Sequence, residues 1–363
     1  MDDATDDPAI APVPRNTGDE VDVVALGESM VTFLPSRPGR LAEVPSFDRA
    51  IGGAESNVAC ALAAFGHAAR WVSRIGTDGF GDHLVACIAG HGVDVSAVVR
   101  DPRRPTGVYF RTAADRATGA YEVAYYRAGS AASAMSLQNV DLPAVRAGRV
   151  LHLSGITAAL SDGCRELLCE LTAPRPGRPL ISFDVNHRPE LWRDADGPRA
   201  LLELARRADI VFVGDDEARQ AWGLHGGREI LRALPEPEMV VVKQGGGGAT
   251  AFHGNTGGTE DAEGTAVSVR APEVDIVSHA GAGDAFAAGF LSGTLRGLPL
   301  RDRLRHGHLM AAAVLTVPGD LTGPPCRGHA DRLAALDDTA WGRLRLGPGW
   351  TQAGTAEEEA NTP

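Results

Sequence analysis

Gly281-Ala282-Gly283-Asp284 is the segment of the chain whose residue types point most directly to chemistry. It opens a run to Leu295 in which Phe286 and Phe290, and Ala287 and Leu291, stand four residues apart, the spacing of adjoining faces on one buried helix. Glycines at such a start do not screen the backbone, so the N–H groups of Gly281, Ala282 and Gly283 can converge on an anion at the positive end of the helix. Asp284 then has two readings. It caps the helix, or it accepts the proton of a hydroxyl whose oxygen attacks phosphorus while the backbone nest takes the charge of the transferring group. The second pairing is that of a small-molecule kinase. Competing motifs fail: Phe286 occupies the third glycine position of a GxGxxG fingerprint, and the GxxxxGK phosphate loop, HExxH, the calcium-loop pattern and GxSxG are absent.

Further residues belong to three clusters. Lys243-Gln244-Gly245-Gly246-Gly247-Gly248 follows the apolar run Met239 to Val242. Either it is the turn of a hairpin returning through Ala249 to Phe252, or a nucleotide lies across the bend against Lys243, Gly245, Gly246 and Gly248. Gly52-Gly53-Ala54-Glu55-Ser56-Asn57 precedes an apolar helix. Its glycines make a tight turn, or they let a polyhydroxylated substrate approach the backbone while Asn57 exchanges hydrogen bonds with the hydroxyls. Tyr109, Tyr125 and Arg127 lie in an aromatic and polar stretch, and Arg188 follows the apolar run Leu180 to Phe183. A guanidinium fork matches a carboxylate, so two such arginines hint at an acidic sugar, although each alone also reads as a surface or salt-bridge residue. Asp215, Asp216 and Glu217 end another apolar run, as solvated acids or with one of them orienting water around Mg²⁺. No His, Cys, Asp and Glu set has the spacing of a structural zinc site.

The elements that must position these groups are also readable. Val23 to Leu26, Arg70 to Ile75, Val150 to Leu153, Leu180 to Phe183, Ile210 to Val213 and Met239 to Val242 are strand-length and often continuously apolar, as in strands covered on both faces. Helical segments alternate with them at Ser56 to Phe65, Phe80 to Ala89, Asp162 to Leu171, Arg199 to Arg207 and Asp284 to Leu295. The rhythm predicts an α/β fold, a mostly parallel sheet with crossover helices. Residues 30–50 and 100–130 break it. They are expected to form a small antiparallel β layer over the carboxyl edge of the sheet, a lid where ligands of open α/β sheets bind. Residues 1–20, acidic and Pro-rich, and 346–363, with Glu357 to Glu359, are expected to be flexible extensions of a folded body spanning 21–345.

Composition narrows the partners. The 35 Lys and Arg against 47 Asp and Glu leave a net charge of −12, which offers no footprint for a nucleic-acid backbone. No apolar stretch is long enough to span a bilayer, and the acidic start is unlike an export signal. Five cysteines without a C-x-x-C pair fit a reduced, cytoplasmic setting. Exposed strands in the lid would allow a homodimer through that layer.

Taken together, Gly52-Gly53 with Asn57, the stretch Arg74-Ile75-Gly76-Thr77-Asp78-Gly79-Phe80-Gly81, and Gly281-Ala282-Gly283-Asp284 resemble the two signatures of the PfkB, or ribokinase-like, carbohydrate kinases over roughly residues 21–325. GGAESN at Gly52 to Asn57, YYRAGSAAS at Tyr125 to Ser133 and DVNHRPELW at Asp184 to Trp192 are similar, within that family, to the 2-keto-3-deoxygluconate kinases. The resemblance implies a three-layer αβα sandwich with a β-sheet lid, Mg²⁺-ATP as cofactor, and transfer of the γ-phosphoryl group to a terminal hydroxyl, position 6, of a keto-deoxy sugar acid. It implies Asp284 as the base, Gly281 to Gly283 as the anion hole, Lys243 to Gly248 as the nucleotide region, and Gly53 and Asn57 as hydroxyl contacts. Tyr109 and Tyr125 become lid contacts, and Arg127 and Arg188 groups near the acid. The alternatives are another sugar or nucleoside kinase, for fructose, ribose or adenosine, and a noncatalytic sugar-binding protein. Two positions depart from the family pattern. Ser278-His279-Ala280 precedes GAGD where an Asp-containing segment is usual, which bears on monovalent-cation dependence, and Gly214 stands where an Asn often precedes the acid matching Glu217.

Overall fold

The computed structural model describes residues 21–37, 39–112, 122–192, 196–254 and 265–352. The 1–20 extension, part of the 100–130 lid segment and the end of the 346–363 tail lie outside the described residues. In chain order the strands are β1 (Val21–Leu26), β2 (Met30–Pro35), β3 (Phe47–Gly52), β4 (Ala69–Val72), β5 (Arg74–Gly76), β6 (Val99–Asp101), β7 (Val108–Arg111) and β8 (Val123–Tyr126). They continue as β9 (Gly148–Ser154), β10 (Leu180–Asp184), β11 (Ile210–Gly214), β12 (Met239–Lys243), β13 (Ala249–His253), β14 (Thr265–Val269), β15 (Glu273–Val274) and β16 (Arg345–Leu346).

Eight strands form the central sheet in the order β14-β13-β12-β11-β10-β9-β1-β4, parallel from β4 to β12 and antiparallel from β12 to β14. Successive strand residues point to opposite faces. Ile210, Phe212, Met239 and Val241 therefore pack with the helices Ala54–Ala64, Ala282–Leu295 and Leu300–Leu315, while Val211, Val213, Val240 and Val242 pack with Asp162–Leu171 and Gly197–Arg206. Both faces are covered, which is why these strands read as unbroken apolar runs. The three-layer sandwich expected from the sequence is the one observed.

The lid is a four-stranded sheet ordered β3-β2-β7-β8. It is mixed rather than antiparallel: β2 pairs with β3 and β7 with β8 antiparallel, but β2 and β7 are parallel. Parallel neighbours need a long crossover, and residues 53–107 supply it by passing through the body between the two hairpins. The expected strand Arg70 to Ile75 also breaks, at Ser73, because β5 leaves the central sheet to pair with β6, where Arg74 donates to Asp101 at 2.9 Å. Asp78 caps the helix Gly79–Gly90 through the N–H groups of Phe80 and Gly81, and its other oxygen accepts from Thr106 N at the entry to β7. The folded body extends past 345: Leu346 is buried in β16, which pairs with β15, and Trp350 opens a further turn. Among the described residues no helix is long and apolar enough to cross a membrane.

The helix Ala282–Leu295 is held by close backbone contact rather than by long side chains. A Cβ on Gly289 would fall 2.3 Å from the carbonyl oxygen of His306, and one on Gly293 would fall 3.0 Å from the Arg303 backbone, both on the neighbouring helix. Phe286 and Phe290 then meet Phe212 of β11 edge to face, with centroids 6.4 and 5.4 Å apart. This anchorage fixes the head of the helix over the middle of the sheet.

Candidate active site

The carboxyl ends of the parallel strands and the inner face of the lid enclose a cavity of about 550 Å³. Asp284, Gly281, Gly283, Lys243, Gly52, Gly53, Asn57, Tyr109, Tyr125, Arg127, Arg188 and Glu217 all line it. Residues scattered over more than 230 positions of sequence are thus brought to one place. A more open groove of about 610 Å³ between the helices Asp162–Leu171 and Gly197–Arg206 contains none of them.

Asp284 lies on the first turn of its helix but does not cap it. The cap position is Gly281, with φ of +75° and no side-chain bond, and the Asp284 carboxylate accepts from Asn57 Nδ2 at 2.8 Å. Burial pushes this carboxyl up to about 7; the Asn57 bond and Lys243 pull it down, while the charges of Asp184 and Asp320 push it further up. Such a group changes protonation near neutral pH, as a base for a hydroxyl requires. The first turn also supplies backbone donors with no upstream carbonyl to satisfy them. Gly281 is obligatory there: besides its positive φ, a Cβ would fall 2.3 Å from the carbonyl oxygen of Asp320.

Lys243 ends β12, and its Nζ donates to both oxygens of Asp184, at 3.0 and 2.8 Å. Burial works against its charge, but Asp184 and Glu217 outweigh that cost and hold its pKa above the usual value. A Cβ on Gly283 would lie 3.5 Å from this ammonium, so Lys243 stands beside the turn Gly281 to Gly283. The glycines after it form the turn of the β12–β13 hairpin, in register Lys243 to Ala249, the first of their two readings. Gly248, at φ of +114°, is fixed by the approach of Val269, whereas Cβ atoms at Gly245 and Gly246 would meet nothing. The hairpin glycines Gly245, Gly246 and Gly248 are not in the cavity lining, and neither is Ala282.

Gly52 and Gly53 make room for protein as well as facing the cavity. A Cβ on Gly52 would fall 2.4 Å from the Tyr109 hydroxyl and 2.6 Å from Asp320 Oδ2, and one on Gly53 would fall 2.5 Å from Glu28 O. Tyr109 is buried and donates to Asp320 at 2.8 Å, while Tyr125 is 43% exposed with its ring 5.5 Å away.

The two arginines differ in circumstance. Arg127 is bound by buried Glu28, which also accepts from Ser130, so its charge already has a fixed counter-ion. Arg188 is 44% exposed; its Nη1 donates to His187 O at 2.9 Å and faces Glu217 Oε1 at 3.4 Å. Glu217 Oε2 accepts from Gly214 N at 2.9 Å, and the residue lines the cavity. Among the described residues no three His, Cys, Asp or Glu could hold a metal ion by themselves, so Mg²⁺ would rely on phosphate oxygens, which suits a cation that keeps several waters.

Several groups escaped the sequence reading. Glu28 and Asp320 are lone acids in loops with no motif to mark them, and Asp184, although it opens DVNHRPELW, takes no role in that reading. Glu55, inside GGAESN, is fully buried and accepts from Ser154 Oγ at 2.7 Å and Thr157 Oγ1 at 2.6 Å, tying the glycine turn to the end of β9. Burial pushes its carboxyl up, against those two bonds. Gly27 accommodates it, since a Cβ there would fall 2.1 Å from its carboxyl carbon.

Residues 21–326 match the family model described as pfkB family carbohydrate kinase. The chain belongs to the pfkB family of carbohydrate kinases. It is 34% identical over 317 residues to the 2-dehydro-3-deoxygluconokinase of Bacillus subtilis (strain 168), covering 85% of this chain and 94% of that protein. It is 30% identical over 326 residues to Fructokinase-2 of Zea mays, covering 86% and 94%. A solved pfkB protein from Polaromonas sp. JS666 is 32% identical, with a TM-score of 0.73 over 87% of this chain and all of the other. The protein is thus a pfkB-family, ATP-dependent kinase of sugars or sugar acids.

If Asp284 is the base of this kinase, kcat/KM for the sugar rises about tenfold per pH unit below pH 7 and levels off above it, because only the ionised carboxylate accepts a proton. Asn57→Ala, which removes a bond favouring the ionised form, is expected to move that limb to higher pH. A pH–rate profile of both proteins checks the position and the sign.

Proposed function

We propose that this kinase phosphorylates the terminal, 6-hydroxyl of 2-keto-3-deoxygluconate or a closely related keto-deoxy sugar acid. The observation that carries the acid specificity is Arg188, a half-exposed guanidinium in the same cavity as Asp284. Among the described residues only its Nη1 is engaged, by His187 O and at 3.4 Å by Glu217, and the exposed remainder of the group can meet a carboxylate. Arg127 supports the lid-side wall with its charge already balanced by Glu28. Asp284 takes the proton of the attacking hydroxyl, Asn57 orients that carboxylate, and the amides at Gly281 to Gly283 receive negative charge from the transferring group. Lys243 adds positive charge beside them, and the glycine hairpin Gly245 to Gly248 borders the nucleotide. Mg²⁺ would be held by ATP oxygens and, through a water, by Glu217, where it spreads phosphate charge. Tyr109 and Tyr125 on the lid exclude water from the transfer. Tyr126, 67% exposed on edge strand β8, is the place for pairing with a second copy.

ADP release with Mg-ATP across 2-keto-3-deoxygluconate, its galacto epimer, fructose, ribose and adenosine tests the substrate. Arg188→Gln is expected to raise KM for the keto-deoxy acid about 10- to 100-fold, the cost of a lost charge-assisted bidentate contact, and to leave any fructose turnover unchanged. Preferred turnover of fructose by the wild type, indifferent to Arg188, rejects the acid reading. That second reading has the Zea mays relative and the balanced charge of Arg127 in its favour.

A further inference from the structure

We propose that Arg111 and Asp320 are a positioning pair that couples the lid to the glycine turn at the head of the helix Ala282–Leu295. The inference takes from the proposed function only that a sugar is phosphorylated in this cavity; which sugar does not enter. Arg111 is the last residue of β7, and Asp320 lies in the loop after the helix Leu300–Leu315. Their ion pair is 2.7 Å long, with side chains 13% and 11% exposed, and it joins the lid to the body directly.

Four other contacts converge on it. Tyr109, two residues before Arg111 and hence on the same face of β7, donates to the other oxygen of the same carboxylate at 2.8 Å. Gly52 leaves the space that this hydroxyl and carboxylate occupy. The carbonyl of Asp320 rests against Gly281, at the distance that forbids a side chain there. Arg111 Nη1 also reaches Ser278 Oγ at 3.5 Å, and that hydroxyl accepts from Ala280 N at 3.4 Å, just before the turn. One guanidinium therefore touches both chain segments that border the anion turn.

Lifting the lid strips Asp320 of both its lid partners, the two contacts that hold its side chain in place. The loop that buttresses Gly281 then loses its reason to stay in place. With the lid down, the pair holds that loop and the turn keeps its shape. The backbone donors are thus assembled when the sugar is enclosed and loosened when it is not, which restricts transfer to water.

Arg111→Gln, Asp320→Asn, their double variant and Arg111→Lys decide the matter, with ADP and sugar phosphate measured separately on the best sugar of the panel. Each neutral single variant is expected to lower sugar phosphorylation about 10- to 100-fold, as small misplacements at a reacting centre do, and to raise ADP formed per sugar phosphate at least about twofold. The double variant is expected to be no worse than the poorer single, and Arg111→Lys to restore most of the coupling. Hydrogen exchange on the sugar-free protein gives an arm that needs no substrate: amides of β7 and β8 should exchange about tenfold faster in the neutral variants, with β1 and β9 unchanged. Wild-type coupling and wild-type exchange in either single variant overturn the proposal, as do additive losses in the double. If a neutral variant does not fold, Tyr109→Phe replaces it with the same expected direction in exchange. If the wild type phosphorylates no sugar, the proposed function fails, and the exchange arm alone still decides the coupling.

Discussion

Asp284→Asn is expected to lower kcat for sugar phosphorylation by about 10²- to 10⁴-fold, the range for losing a positioned general base. The amide keeps the volume of the carboxyl and can still pair with Asn57, so the turn beneath it and the affinity for ATP should survive. Stability moves the other way. A carboxyl whose folded-state value is pushed from 3.8 to about 7 binds its proton more tightly in the folded protein, so the fold weakens as pH rises between those values and carries the full cost above about pH 7. Asparagine removes that cost. The variant should therefore melt at the wild-type temperature near pH 4 and at an equal or higher one at pH 8, while its activity is lost at both. Rapid-quench measurement of the phosphoryl step with thermal melts at the two pH values checks the pair of outcomes. An active Asp284→Asn protein would remove Asp284 from the role of base.

The second large effect is expected at Lys243→Met, about 3–5 kcal/mol of lost stability at pH 8, the cost of leaving one partner of a buried pair uncompensated. Asp184 is 2% exposed, and both its oxygens accept from this ammonium. It also lies close enough to raise Asp284, so the two acids would lose the ammonium that favours the charge of both. Uptake of a proton relieves the strain, which predicts a smaller loss at pH 5 than at pH 8. Asp184→Asn placed in the same protein should recover most of the deficit, since it removes the orphaned charge. Urea unfolding of the three proteins at both pH values measures this, and equal stability of Lys243→Met and wild type at pH 8 would show that the pair contributes nothing.

Much of this architecture is legible in the residues because strong local signals agree with the global packing. The unbroken runs of β11 and β12 announce strands covered on two faces, and GAGD announces a helix head stripped of side chains. Each of the motif positions Gly52, Gly53, Asn57, Gly281, Gly283 and Asp284 does reach the one cavity. What stayed illegible depends on contacts between distant segments. Asp320 gains its meaning from Tyr109 and Arg111, more than 200 residues earlier, and nothing in the local sequence around Pro318 to Asp320 encodes that meeting. Arg127 reads as a free fork until Glu28 is found beside it. Gly52 reads as room for a ligand, yet its missing side chain is first of all room for a tyrosine hydroxyl. The parallel joint of the lid is likewise invisible, because strand direction depends on where the intervening chain travels.

That joint has a consequence for exchanging substrate preference among relatives. The sheet over the cavity is stitched from two hairpins that enter and leave the body separately, with residues 53–107 running through the core between them. No single cut-and-paste segment carries it. Transplanting either hairpin alone would bring a foreign β2 against a native β7, or the reverse, and mismatch the three register pairs Val31 to Val108, Thr32 to Tyr109 and Phe33 to Phe110. The lid wall of the cavity therefore travels as two insertions that must be inherited together, or changes by point substitutions within a seam that is already matched.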